Sequence, residues 1–214
     1  MEKIKKLFAH RIFRIFMWVF LFLVAFYVAL VIYRVFYLFD LEKTNEQVDK
    51  IHSTKLTMDD VMGKNLPPDP GAEADKTVEG IDANKNGIRD DVELAVFKEY
   101  PNSAKTRAVL LQYALALQMM ITQPILNEEI ATSVMREKSR AYICIGEALV
   151  RDDEDLEVMD KYFRDGDILR SFVEIKQLNN PDRIKNNKDF YEKVRSYEES
   201  DNEVCDVNIS RLLN

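Results

Sequence analysis

Residues 108–126 read AVLLQYALALQMMITQPIL, nineteen positions without a charge, and the fold turns on whether this run crosses a membrane or fills a protein core. Gln112, Gln118, Gln123 and Pro124 lie inside it. Three side-chain amides in hydrocarbon are costly, because nothing there replaces their hydrogen bonds to water. Val109, Tyr113, Leu117 and Met120, with Leu110, Ala114 and Ile121, form a wide apolar stripe at helical spacing. The run therefore reads as the central helix of a helical bundle rather than as a membrane span.

A second uncharged run of equal length has a different character. Residues 15–33, IFMWVFLFLVAFYVALVIY, contain no amide and no polar face. As a helix rising 1.5 Å per residue they cross the roughly 30 Å hydrocarbon layer. A cleaved signal peptide would carry an apolar stretch of about 7–15 residues and a small-x-small cleavage site. This run is longer and leaves through Arg34-Val-Phe-Tyr-Leu-Phe-Asp40 with no such site. A helix lying on the membrane surface would keep a polar face, which is absent. Lys3, Lys5, Lys6, Arg11 and Arg14 precede the run, which predicts a cytoplasmic N-terminus and an extracytoplasmic, periplasmic remainder anchored in the inner membrane. Trp18 at one end and Tyr33, Phe36 and Tyr37 at the other suit the headgroup level, where Arg34 can extend outward.

The charge balance supports this division. Residues 1–39 hold six positive charges and one negative, whereas residues 40–214 hold 24 and 36, and an acidic remainder excludes a large nucleic-acid footprint. The expected organisation is a cytoplasmic tail (1–14), a transmembrane anchor (15–39), a juxtamembrane helix (40–62), a Pro-rich linker (63–80) and an all-α domain (81–214). Between Leu41 and Met62 the apolar positions are too sparse for a strong heptad seam, which favours a solvated helix over a self-associating coiled coil. Leu66-Pro-Pro-Asp-Pro-Gly71 forces an extended path. Beyond it the periodicity predicts helices over 90–100, 104–122, 127–150, 153–165, 167–178 and 182–198, with breaks at Gly166 and at Asn179-Asn180-Pro181. Asp152–Asp155 would favour a helix N-terminus. Ile130, Val134, Ile145, Leu149, Leu156, Met159, Phe163, Leu169, Phe172, Phe190 and Val194 are the further expected core positions.

One stretch carries recognisable chemistry. Asp82-Ala-Asn84-Lys-Asn86-Gly87-Ile88-Arg-Asp90-Asp-Val-Glu93 has oxygen donors at positions 1, 3, 5, 9 and 12 of a twelve-residue loop and glycine at position 6. A hard cation takes six to eight oxygens, so Asp82, Asn84 and Asn86 would converge while Gly87 permits the sharp turn. Ile88 would give its backbone carbonyl, Asp90 would act directly or through water, and Glu93 would close the site with two oxygens from the first turn of the next helix. The competing reading is a turn followed by a cap, since Asn-x-Asn-Gly is turn chemistry and Asp90-x-x-Glu93 has capping-box spacing. The loop resembles that of an EF-hand. With no room for an entering helix before Asp82, it is more similar to the Asp/Asn-rich calcium loops of thrombospondin type-3 repeats and related bacterial envelope proteins. The resemblance covers residues 81–93 and implies Ca2+ as the ligand. Two neutral Asn side chains lower the ligand charge, which suits the weak extracellular affinity range.

Cys144 and Cys205 are the only cysteines, and both fall on the expected extracytoplasmic side, where a disulfide is the economical reading. Two free buried thiols are the alternative. His10 and His52 are the only histidines and lie in the expected tail and juxtamembrane helix, so the predicted domain has no histidine for a nucleophile–base pair or a catalytic zinc. Gly-rich phosphate loops are absent as well. The sequence thus predicts no enzyme but a membrane-anchored calcium-binding domain that engages a protein partner. An ion-responsive sensor and a carboxylate-based hydrolase are the alternatives.

Overall fold

A computed structural model of the chain describes residues 2–149, 156–195 and 204–213. Two compact units are present, Met1–Glu46 and Gln47–Asn214. Among the described residues there are seven α-helices and no strand: α1 (Glu2–Ser53), α2 (Met58–Val61), α3 (Asp90–Glu99), α4 (Ala104–Thr122), α5 (Glu128–Ala148), α6 (Leu156–Gln177) and α7 (Pro181–Lys193). The acidic run Asp152–Asp155, the Leu156 side chain and positions 196–198 of the last expected helix lie outside the described residues.

The first unit is the part of α1 up to Glu46. Its side chains from Phe13 to Lys43 are exposed, and α1 is the one described helix long and apolar enough to cross a membrane. An uninterrupted set of exposed Phe, Leu, Val and Trp side chains is what lipid, rather than water, solvates cheaply.

The second unit is built around α4. Every residue from Arg107 to Ile121 is buried, which is why the helix can be apolar all round. Ser103 caps it by accepting from Thr106 N. Its glutamines bind surrounding segments: Gln112 Nε2 donates to Val204 O at 2.8 Å and Gln118 Nε2 to Glu79 O at 2.8 Å, while Gln123 Oε1 accepts from Gln47 Nε2. The amides that argued against a membrane span are thus the contacts that fasten the unit's irregular segments to its core. Helices α3, α5, α6 and α7 all pack on α4. Asn127 and Asn180 cap α5 and α7, and Pro181 occupies the first turn of α7, as the Asn-Asn-Pro break predicts.

Two expectations are corrected. Helix α6 runs unbroken through Gly166, which is buried; a Cβ there would stand 3.0 Å from the Arg170 guanidinium. The helix tolerates the glycine at a propensity cost of about 1 kcal/mol. Phe163, expected in the core, is 57% exposed. Its ring meets Tyr162 edge-on and borders a cavity of about 190 Å³ shared with Tyr142 and Ile143 of α5.

Residues 47–80 belong to the folded unit. Ile51, Leu56 and Val61 join its core, and His52 Nδ1 lies 2.7 Å from Glu137 Oε1 on α5, so this histidine is part of the domain after all. Around Glu137 a charge cluster forms: Lys55 Nζ donates at 2.6 Å and Arg140 at 2.5 Å. Asp206 adds a second carboxylate, accepting from Arg140 at 2.9 Å and from Leu56 N at 3.0 Å. Beside it, Cys205 is disulfide-bonded to Cys144, with Cα atoms 5.1 Å apart. One face of α5, carrying Glu137, Arg140 and Cys144, thereby holds both the segment after α1 and the C-terminal segment.

Candidate metal centre

The loop from Asp82 to Glu93 leads into α3 without a preceding α-helix; residues 76–89 are bends and irregular backbone. Its winding is fixed by two residues with positive φ, Lys85 (60°) and Gly87 (85°). A Cβ on Gly87 would come 2.7 Å from Leu115 Cδ1 on α4, so this position needs glycine for space as well as for conformation. The loop then turns on its own side chains. Asp82 accepts from Asn86 N (3.2 Å) and Gly87 N (2.9 Å), Asn84 Oδ1 from Asn86 N (3.3 Å), and Asn86 Oδ1 from Ile88 N (2.9 Å). Asp90 accepts from Ala83 N (3.0 Å), while its own N–H donates to Ile81 O (2.8 Å). Ile88 is fully buried.

The position of Glu93 bears on the capping-box part of the motif. Arg89 is the N-cap of α3, and no side chain caps the helix. The Glu93 carboxylate turns into the loop instead, where Oε2 accepts from Asn84 Nδ2 at 3.0 Å and Asn86 Nδ2 at 3.1 Å. The capping-box bond is therefore not made, and positions 3, 5 and 12 converge. Asp82 and Asp90 are engaged with backbone N–H groups beside them. Among the described residues no three His, Cys, Asp or Glu side chains gather as a metal-binding group; the convergence here is of one carboxylate with two amides. All the donors are hard oxygens or amides able to present one, a set that fits Ca2+ or Mg2+ and not a thiophilic metal.

Glu93 is 1% exposed, and burial, with the charges of Asp60 and Asp90, pushes its pKa up to about 7 against the opposing bonds from Asn84 and Asn86. The folded state therefore favours the neutral acid. Its destabilising contribution is absent below the ordinary value near 4.5 and grows as pH rises to about 7, reaching about 3 kcal/mol. In chelator, the melting temperature should fall between about pH 5 and pH 8, and the fall should be lost in E93Q. A pH-independent melting temperature over this window contradicts the assignment.

Sequence reasoning missed the arginine that sets the loop's exit. Arg89 is fully buried, pairs with both Asp91 carboxylate oxygens (2.5 and 2.8 Å) and donates to the carbonyls of Lys176 (2.7 Å) and Gln177 (3.3 Å) at the end of α6. Gly80 makes room for it: a Cβ there would stand 2.3 Å from Arg89 Cδ. Also missed was Asn65, whose carbonyl accepts from Asn84 Nδ2 at 3.0 Å. The Arg–x–Asp spacing at 89–91 was a signal that could have been read; nothing in the sequence marks Asn65. Compared with family models, curated proteins and solved structures, the chain has no match.

Proposed function

We propose that the chain is a single-pass membrane anchor whose C-terminal helical domain lies outside the cytoplasm, in the periplasm of a bacterial envelope, and holds one calcium ion in the Asp82–Glu93 loop. The ion acts as a structural clip for a domain that engages a protein partner. The observation that carries this reading is the Glu93 carboxylate, buried and aimed at Asn84 and Asn86 rather than at the α3 N-terminus. A buried carboxylate among neutral amides, with Asp60 and Asp90 nearby, lacks the positive charge that a divalent cation would supply. The exposed apolar stretch of α1 and the basic residues in the part of the helix before it support the anchor and its orientation. The Cys144–Cys205 disulfide suits an oxidising compartment.

The test is calcium-dependent melting of the full chain in detergent micelles. Wild type should gain about 2.7 kcal/mol at a hundredfold excess of calcium over its dissociation constant. E93A should lose that gain, and magnesium, which demands tighter octahedral geometry, should not replace calcium. Equal melting of wild type in chelator and in about 10 mM calcium rejects the site.

A further inference from the structure

The Asn84 side chain reaches out of its loop. Its Nδ2 stands 3.0 Å from Glu93 Oε2 inside the loop and 3.0 Å from the Asn65 carbonyl, 19 residues earlier. Asn65 ends a compact turn that directly follows α1 in sequence. Within it, Thr57 and Asp60 form a reciprocal capping box on α2, Met62 N and Gly63 N donate to Met58 O and Asp60 O, and Lys64 N donates to Asp59 O. Gly63 packs against Phe97 of α3, where a Cβ would be 2.8 Å from the ring. Asp60 is buried and close enough for its charge to act on Glu93. The loop and this turn therefore adjoin, and Asn84 is the side chain that bonds between them, through a hydrogen bond on the exposed side of the contact.

We infer that Asn84 couples ion occupancy of the loop to the turn at 57–65, its Oδ1 facing the ion while its Nδ2 holds the Asn65 carbonyl.

This rests on the calcium reading of the loop. The chemistry of the amide carries it. A carboxamide has one acceptor oxygen and two N–H donors, so it can serve an ion and a carbonyl at once; a carboxylate has no donor and would face the Asn65 oxygen with negative charge. Without an ion, the two N–H groups of Nδ2 go one to Glu93 and one to Asn65, so the bond to Glu93 fixes where the amide sits. With the Glu93 carboxylate and the Asn84 oxygen both drawn to a cation, Nδ2 is released from Glu93 and can align on the Asn65 carbonyl, and the turn is held more firmly. Asn at the third loop position, a departure from the acidic residue that would bind calcium more tightly, is then explained by the donor it supplies. A cation beside Glu93 also offsets the repulsion between Glu93 and Asp60, which stand on opposite sides of the same contact.

The experiment compares wild type and N84D as full chains in detergent micelles, in about 5 mM calcium chloride or in chelator. Isothermal titration with calcium chloride reads binding, and amide hydrogen exchange reads the N–H groups of Met62, Gly63 and Lys64. Wild type should bind calcium and slow exchange in this turn about tenfold. N84D should bind calcium at least as tightly, yet show less than about a twofold slowing. Wild type that binds calcium without slowing the turn, or N84D that slows it as wild type does, overturns the coupling and leaves the calcium site standing. Wild type that binds no calcium removes both. Should N84D misfold, N84S takes its place: it keeps an oxygen for the ion but is too short to span to Asn65, so weaker binding without slowing is expected, and slowing equal to wild type rejects the role of Asn84.

Discussion

Replacing Glu137 by alanine should cost about 3 kcal/mol of folding free energy, among the largest losses for any single polar side chain in this domain. The carboxylate is almost fully buried and takes bonds from His52, Lys55 and Arg140. Without it, Arg140 keeps Asp206, and Lys55, about one-third exposed, recovers water, so the cost falls at the low end for breaking a buried ion pair. E137Q retains the shape and an acceptor but not the charge, and should cost about half as much. The pH dependence separates the charge from the packing. Burial alone would raise the pKa of Glu137, but the bonds from Lys55 and His52 and the charges of Lys55 and Arg140 outweigh it and hold the carboxyl below its ordinary value. Its stabilising charge is therefore fully present above about pH 4.5 and is lost as pH falls through the lower folded value. Urea denaturation of the full chain in micelles should show the wild-type advantage over E137Q at pH 7 and its progressive loss as pH falls below about 4.5. An advantage that does not shrink at all as pH falls below that point assigns the effect to shape alone.

The cluster around Glu137 also marks where sequence reading stops. Helix α4 was legible because its stripe is wide, its ends carry Ser103 and Pro124, and its three glutamines are costly in lipid but useful in a core. The loop was legible because its donors recur at fixed spacing. What pairs with what was not: Glu137, Arg140 and Asp206 look like ordinary surface charges on an amphipathic helix and a polar tail, yet the disulfide and the Arg140–Asp206 bond beside it bring the tail onto α5. Gly166 misled for a different reason. A glycine inside a helical pattern reads as a break, yet α6 continues through it, because one glycine costs a helix of this length only about 1 kcal/mol. Asn65 contributes a backbone carbonyl, which any residue could supply, so its role is invisible in side-chain chemistry.

Arg183 offers the second large effect. It is fully buried in the first turn of α7 and donates to five acceptors: the carbonyls of Ala74, Thr77 and Val78, the Asp75 carboxylate and the Asn179 side-chain oxygen. Those carbonyls belong to the segment that enters the Asp82–Glu93 loop, so one planar guanidinium fastens the loop's approach to the start of α7. R183A should cost about 3 kcal/mol, because Asp75 is more than half exposed and regains water while the buried Ala74 carbonyl loses its donor. R183K should still cost about 2 kcal/mol, since a lysine ammonium has three donors on a point charge and cannot reproduce the guanidinium fork. The loss should also be local. The buried side chains of α7 are Arg183 and Phe190, one charged anchor and one apolar, and the others, Ile184 and Tyr191 included, are exposed or only half-buried. Removing one anchor should let α7 open before the core does, so limited proteolysis of R183A should cut within residues 179–195 at temperatures where α4 stays protected from hydrogen exchange. An R183K variant as stable as wild type would show that charge alone, not the geometry of five bonds, holds this segment in place.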